Sequence, residues 1–296
     1  MNLKKITLLF CLLTSLSLSA QDDLMNMLDD GSQTTNYTYA TFKTTRVVIG
    51  QSIENPASGN LNFVISHHFG HLNEGAYELF GLDKSTIRLG LEYGINDRFA
   101  IGLGRSTYQK TVDGSLKYKI LRQSTGKRNM PISLSYYGSI TINTLKWADP
   151  ERKNYFSSRL SYIHQLLIAR KINDRISVQL TPSIVHKNLV PKIQDPNTIY
   201  VMGAGGRVKL TNRMSLNVEY HHILSSQTSK DFDNSLSIGF DIETGGHVFQ
   251  LFFTNSQPLF ERGFLTETLG TWRKADIYFG FNIFRSFVIK KPKSFR

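Results

Sequence analysis

Thr86-Ile-Arg-Leu-Gly-Leu-Glu-Tyr-Gly94, with the following Ile95-Asn-Asp-Arg-Phe-Ala-Ile-Gly-Leu-Gly104, decides the fold. Successive side chains of an extended chain point to opposite sides. Ile87, Leu89, Leu91 and Tyr93 therefore share one face, and Arg88, Gly90, Glu92 and Gly94 the other. Asn96-Asp97 supplies turn chemistry, after which Phe99, Ile101 and Leu103 resume the alternation against Ala100, Gly102 and Gly104. Two half-apolar strands around a tight turn make a hairpin.

The unit recurs around Asn173-Asp174, Thr211-Asn212 and Gly245-Gly246. Extended over the chain, the pattern predicts twelve strands: 60–69, 85–94, 98–108, 114–123, 131–144, 155–171, 175–189, 198–210, 213–224, 234–244, 247–256 and 273–288. Connections after the second, sixth, eighth and tenth are tight. Those after the first, fifth, seventh, ninth and eleventh are longer and polar, and 109–113 and 124–130 are intermediate. An even strand number with alternating short and long connections is the pattern of an outer-membrane barrel. The expected fold is thus all-β, a transmembrane antiparallel up-and-down β-barrel with both strand ends on the tight-turn, periplasmic side. A soluble sandwich shares the period of two. The strands, however, match the ~9–11 residues a tilted transmembrane strand needs, and closure leaves no unpaired edge in lipid.

The flanks divide the chain further. Lys4 and Lys5, the apolar run Ile6–Leu16 and Ser19-Ala20 read as a secretory signal over residues 1–20. Its removal leaves 276 of 296 residues and takes the net charge from +12 to +10, two lysines fewer. The one cysteine, Cys11, goes with it, which excludes disulfides, thiolate metal sites and a cysteine nucleophile from the mature chain. Residues 21–59 are a periplasmic segment or plug: a strand at 42–49 would spoil the parity of the barrel, assigned to 60–289. A basic tail, 290–296, follows. Loops 70–84 and 257–272 carry apolar residues and are expected to fold inward or meet lipid headgroups. Tyr93, Tyr108, Tyr155, Tyr220, Trp147 and Trp272 suit interfacial aromatic girdles.

The polar faces supply the candidate functional surface. Arg88, Glu92, Lys117, Lys119, Arg207, Lys209, Glu219, His221, Asp241, Glu243 and Asp276 are expected to line the lumen, because Lys or Arg facing lipid at mid-depth costs about 2–4 kcal/mol. They either line a water-filled path or form a salt-bridged filling. Both signs occur, so no charge selectivity follows. Ser66 and His68 share a strand face at a spacing that suits a nucleophile and its base, but on the polar side, away from lipid. His67, His68 and His71, and the pair His221 and His222, suggest a metal, yet adjacent strand residues point apart. Gly203-Ala-Gly205-Gly206 lacks the helix and the lysine of a phosphate loop. Lys290, Lys291, Lys293 and Arg296 suit headgroup contact or solvation better than nucleic acid. No cofactor is expected. Expected partners are outer-membrane lipid, the outer-membrane assembly machinery and small solutes, with no nucleic acid.

Lys43-Thr-Thr-Arg-Val-Val-Ile-Gly-Gln-Ser-Ile-Glu-Asn-Pro-Ala-Ser-Gly59, Ser66-His-His-Phe-Gly70, the run Gly81 to Arg98 and Tyr118-Lys-Ile-Leu-Arg-Gln123 resemble a domain-of-unknown-function family of Gram-negative outer-membrane β-barrel proteins. The likeness covers most of the mature chain and is densest from 43 to 123. An arginine is common in that family where His68 stands here. The resemblance implies a barrel and an outer-membrane location but no substrate. A porin-like channel for small solutes is the first functional expectation, a closed structural or surface-interaction barrel the second, and a lipid hydrolase using Ser66 and His68 the third.

Overall fold

The computed structural model describes residues 34–190, 192–224 and 232–291. The expected signal peptide, residues 21–33 and the tail from 292 onward lie outside them. Among the described residues fourteen strands occur in order: β1 (Thr35–Tyr37), β2 (Asn60–His71), β3 (Thr86–Gly94), β4 (Phe99–Ser106), β5 (Val112–Leu121), β6 (Ser124–Gly126), β7 (Ser133–Ile142), β8 (Leu160–Lys171), β9 (Ile176–Lys187), β10 (Thr198–Lys209), β11 (Met214–Ile223), β12 (Ser235–Thr244), β13 (His247–Thr254) and β14 (Tyr278–Val288). All except β1 and β6 form one closed barrel of twelve antiparallel strands in chain order, β14 pairing back onto β2.

Ten of the twelve expected strands begin and end within two residues of these bounds. The other two were expected to begin at 155 and 273, five residues early. Phe156–Arg159 and Trp272–Lys274 are 3-10 turns, and Ala275 at φ 57° breaks the extended path. Aromatic and charged residues in those turns continue the strand pattern without the backbone doing so.

Burial separates a membrane barrel from a sandwich. Apolar side chains on the outward face are exposed, among them Leu89, Leu103, Leu180 and Tyr200, while inward Ser106, Ser135, Gln165, Asn217 and Gln250 are 0–1% exposed. A soluble protein buries the opposite set. Hydrocarbon outside and a polar interior account for both faces.

The interior is filled with protein from both ends. At the tight-turn end β1 pairs with β6, which lies in the β5–β7 connection. The chain then enters the barrel and folds back as a narrow hairpin, with Ser52 N donating to Thr45 O (2.9 Å) and Val47 N to Gly50 O (2.9 Å). It returns to the rim beside Gly94 and leads into β2. From the opposite end the β13–β14 connection sends in a short helix, α1 (Glu261–Thr266), all of whose residues are buried. Phe42, Val47, Val48, Ile49 and Ile53 of the hairpin form one apolar cluster with Phe264 and Leu265 of α1 and with wall residues such as Ile163, Val185 and Phe252. The wall makes room with glycine: a Cβ at Gly205 would sit 3.2 Å from Val47, and one at Gly239 3.2 Å from Val48.

The two apolar loops diverge. In the β13–β14 connection Phe260 and Phe264 are 0% exposed inside the barrel, whereas Tyr77, Leu79 and Phe80 of the β2–β3 connection stand on its surface.

Candidate functional site: a polar lumen closed by its own chain

Inward parity on each strand delivers the charged side chains to the interior, and their partners there are mostly protein. Arg88 on β3 grips Asp113 on β5 with both arms of its guanidinium, Nε to Oδ1 at 3.1 Å and Nη2 to Oδ2 at 2.5 Å. This two-pronged geometry is the strong form of the carboxylate pair. It depends on small neighbours: a Cβ at Gly104 would lie 2.2 Å from Arg88 Nη2.

Other wall residues hold the hairpin. The Glu219 carboxylate accepts the backbone N–H groups of Val48 (3.1 Å), Ile49 (2.8 Å) and Gly50 (2.9 Å) at the hairpin tip. Gln250 and Asn282 donate to the carbonyls of Val47 (2.9 Å) and Val48 (3.0 Å). Lys117 Nζ donates to Ser52 O and Glu54 O, both at 3.0 Å, and Arg207 to Ala40 O (3.0 Å) and Thr41 O (3.3 Å). Asp241 lies beneath this layer, taking hydrogen bonds from Ser215 and Gln250.

Hairpin and helix meet through an ion pair. Arg46 Nη1 lies 2.7 Å from Glu261 Oε1, which also accepts from Gln51 Nε2 at 2.8 Å, and both charged side chains are almost fully buried. Burial alone would raise the Glu261 carboxyl, but the guanidiniums of Arg46 and Arg88 outweigh it and hold it below its ordinary 4.5. A carboxyl lowered in the folded state stabilises fully above its unfolded value. That contribution declines as the pH falls below 4.5 and is lost as the lowered group itself takes up its proton. Glu261→Gln is expected to remove this part of the acid sensitivity, read as a flatter profile of unfolding free energy between pH 5 and 2. An unchanged profile would refute the assignment.

Of the remaining expected lumen residues, Glu92 lies 3.8 Å from Arg46, Lys119 lies 3.9 Å from Glu54, and His221 sits behind Glu219 at 3.8 Å. Glu243 pairs with Lys43 at the tight-turn rim. Lys209 is half-buried near that rim. Asp276 requires correction: it precedes β14 in the long-loop connection, where Asn73 and the backbone of Thr271 bond it, and it does not line the lumen. Arg46, Glu261 and Asp113 escaped sequence reasoning. Asp113 falls one residue before the expected strand 114–123, and a strand begun at 112 would have placed it inward.

Ser66 and His68 both face inward and are buried. The His68 ring lies 3.1 Å from Gln257 O through Nδ1 and packs on Phe252 and Tyr278. No hydrogen bond joins it to Ser66 among the described residues. His67 faces outward, stacked on Phe281 with centroids 5.0 Å apart. Among the described residues no group of three His, Cys, Asp or Glu could hold a metal ion.

A family model described as "Membrane bound beta barrel domain (DUF5777)" matches residues 42–287. The chain belongs to this family. The DUF5777 match starts within the lumen segment, so it takes in the hairpin as well as the wall. No curated protein matches the sequence. Among solved structures, the NanC porin aligns at TM-score 0.48 and 8% identity, covering 77% of this chain and 98% of that one. The KdgM porin aligns at 0.45 and 9%, covering 77% and 98%. Outer membrane phospholipase A from Escherichia coli aligns at 0.43 and 11%, covering 78% and 91%.

Proposed function

We propose that this protein is an outer-membrane barrel closed at rest, with its tight turns on the periplasmic side and its lumen sealed by its own hairpin and helix. The observation that supports this is the burial of inward polar residues. Side chains lining a water-filled path keep solvent contact, whereas Ser106, Gln165, Asn217 and Gln250 have almost none. The charges are held by one another or by the backbone of the hairpin instead of being arrayed as rings facing a channel. Steady diffusion of solutes is therefore not its resting activity.

Gated passage is the second reading. Cavities of about 300 Å³ and 250 Å³ flank the hairpin at the tight-turn mouth, lined by residues such as Glu54, Lys119 and Arg122 on one side and Lys43, Asn62 and His247 on the other. The hairpin has room there to shift. Planar-bilayer recording of the purified full chain separates these readings from an open porin. Wild type is expected to stay silent or flicker rarely, and long-lived conductance steps at every insertion would overturn the closed state.

A further inference from the structure

One turn is built three times at the same end of the barrel. Ile95-Asn-Asp-Arg98 joins β3 to β4, Ile172-Asn-Asp-Arg175 joins β8 to β9, and Leu210-Thr-Asn-Arg213 joins β10 to β11. In each, the second residue makes the turn. Asn96 Oδ1 accepts the N–H groups of Arg98 (2.9 Å) and Phe99 (2.8 Å), Asn173 Oδ1 those of Arg175 and Ile176 (both 2.8 Å), and Thr211 Oγ1 those of Arg213 (3.2 Å) and Met214 (3.0 Å). The arginine contributes only backbone. Its carbonyl accepts an amide from the adjacent strand, from Lys119 (2.8 Å), Lys209 (2.7 Å) or Glu243 (2.8 Å).

The three guanidinium groups have no structural task. All three residues are exposed, and none makes a side-chain hydrogen bond or ion pair among the described residues. Each follows three residues after an exposed apolar side chain, Ile95 (44%), Ile172 (55%) or Leu210 (53%). Each therefore stands just beyond the rim of the apolar band, at the depth of lipid headgroups. Lys290, after exposed Ile289, extends the series at the end of β14, and Arg128 adds to it in the β5–β7 connection.

We propose that Arg98, Arg175 and Arg213 form a belt that binds the phosphates of anionic phospholipids in the leaflet at the tight-turn end. A guanidinium presents paired donors to phosphate oxygens, and a headgroup layer of opposite charge supplies the partners that the protein does not.

The test is the lipid selectivity of the full chain reconstituted in phosphatidylcholine, read with spin-labelled phosphatidylglycerol and phosphatidylcholine at the protein surface. Wild type is expected to prefer phosphatidylglycerol at least about threefold at low salt, with the preference falling as salt rises. Arg98→Gln/Arg175→Gln/Arg213→Gln should bring the ratio close to one while keeping the folded barrel's resistance to detergent at room temperature, because each turn is held without its guanidinium. An equal preference in both proteins overturns the proposal. So does a preference for lipopolysaccharide over phosphatidylglycerol that the triple substitution removes, which would place this end in the outer leaflet. If the triple variant fails to fold, Arg175→Gln alone should still lower the ratio, and an unaltered ratio there overturns the proposal as well.

Discussion

Glu261→Ala is expected to cost about 3–5 kcal/mol of unfolding free energy, the usual effect of stranding one partner of a buried ion pair. Arg46 would keep its charge with only Glu92, 3.8 Å away, to answer it. Replacing both members by apolar residues, as in Arg46→Met/Glu261→Leu, should restore most of the loss, since a buried pair gains little over well-packed hydrocarbon. Denaturant titration of the wild type, both single variants and the double variant gives the coupling directly. A loss under about 1 kcal/mol for Glu261→Ala would mean that hairpin and helix do not depend on one another. The closed lumen would then rest on the apolar cluster and on the wall side chains that hold the hairpin.

Glu219→Ala acts at the hairpin tip. Three backbone N–H groups lose their common acceptor, at about 1–3 kcal/mol for each buried donor left without a partner. The barrel wall keeps its ladder, so the damage should concentrate in the hairpin. Trypsin added at the tight-turn side is expected to cut after Lys43 and Arg46 at least about tenfold faster than in wild type, by the factor that ~1.4 kcal/mol of local opening confers. In bilayers the variant should pass bursts of current that wild type lacks. Cleavage at the wild-type rate, with no bursts, would show that Glu219 is not the anchor.

The wall of the barrel was legible because two independent signals agreed: apolar residues at every second position, and turn chemistry at Asn96-Asp97, Asn173-Asp174, Thr211-Asn212 and Gly245-Gly246. Inward parity for Arg88, Lys117, Glu219 and Asp241 followed from the same period. What fills the lumen was not legible, for a physical reason. A serine or glutamine on the inner face looks the same in sequence whether its partner is water or backbone. Arg46 and Glu261 sit in a hairpin and a six-residue helix, too short for any period to register. Phe260 and Phe264, inside, and Tyr77 and Phe80, outside, come from loops of similar composition, so only packing could tell them apart.

The hairpin is held at both feet. Before it, β1 is paired to β6 at the rim; after it, Gly59 donates to Gly94 O (2.7 Å) and accepts from Ile289 N (2.9 Å), beside the closing seam of β2 and β14. Residues 54–59 can stretch no farther than about 20 Å. Any withdrawal is therefore a swing on a short leash, with the loop kept over the mouth it has just left and able to reseat without a search.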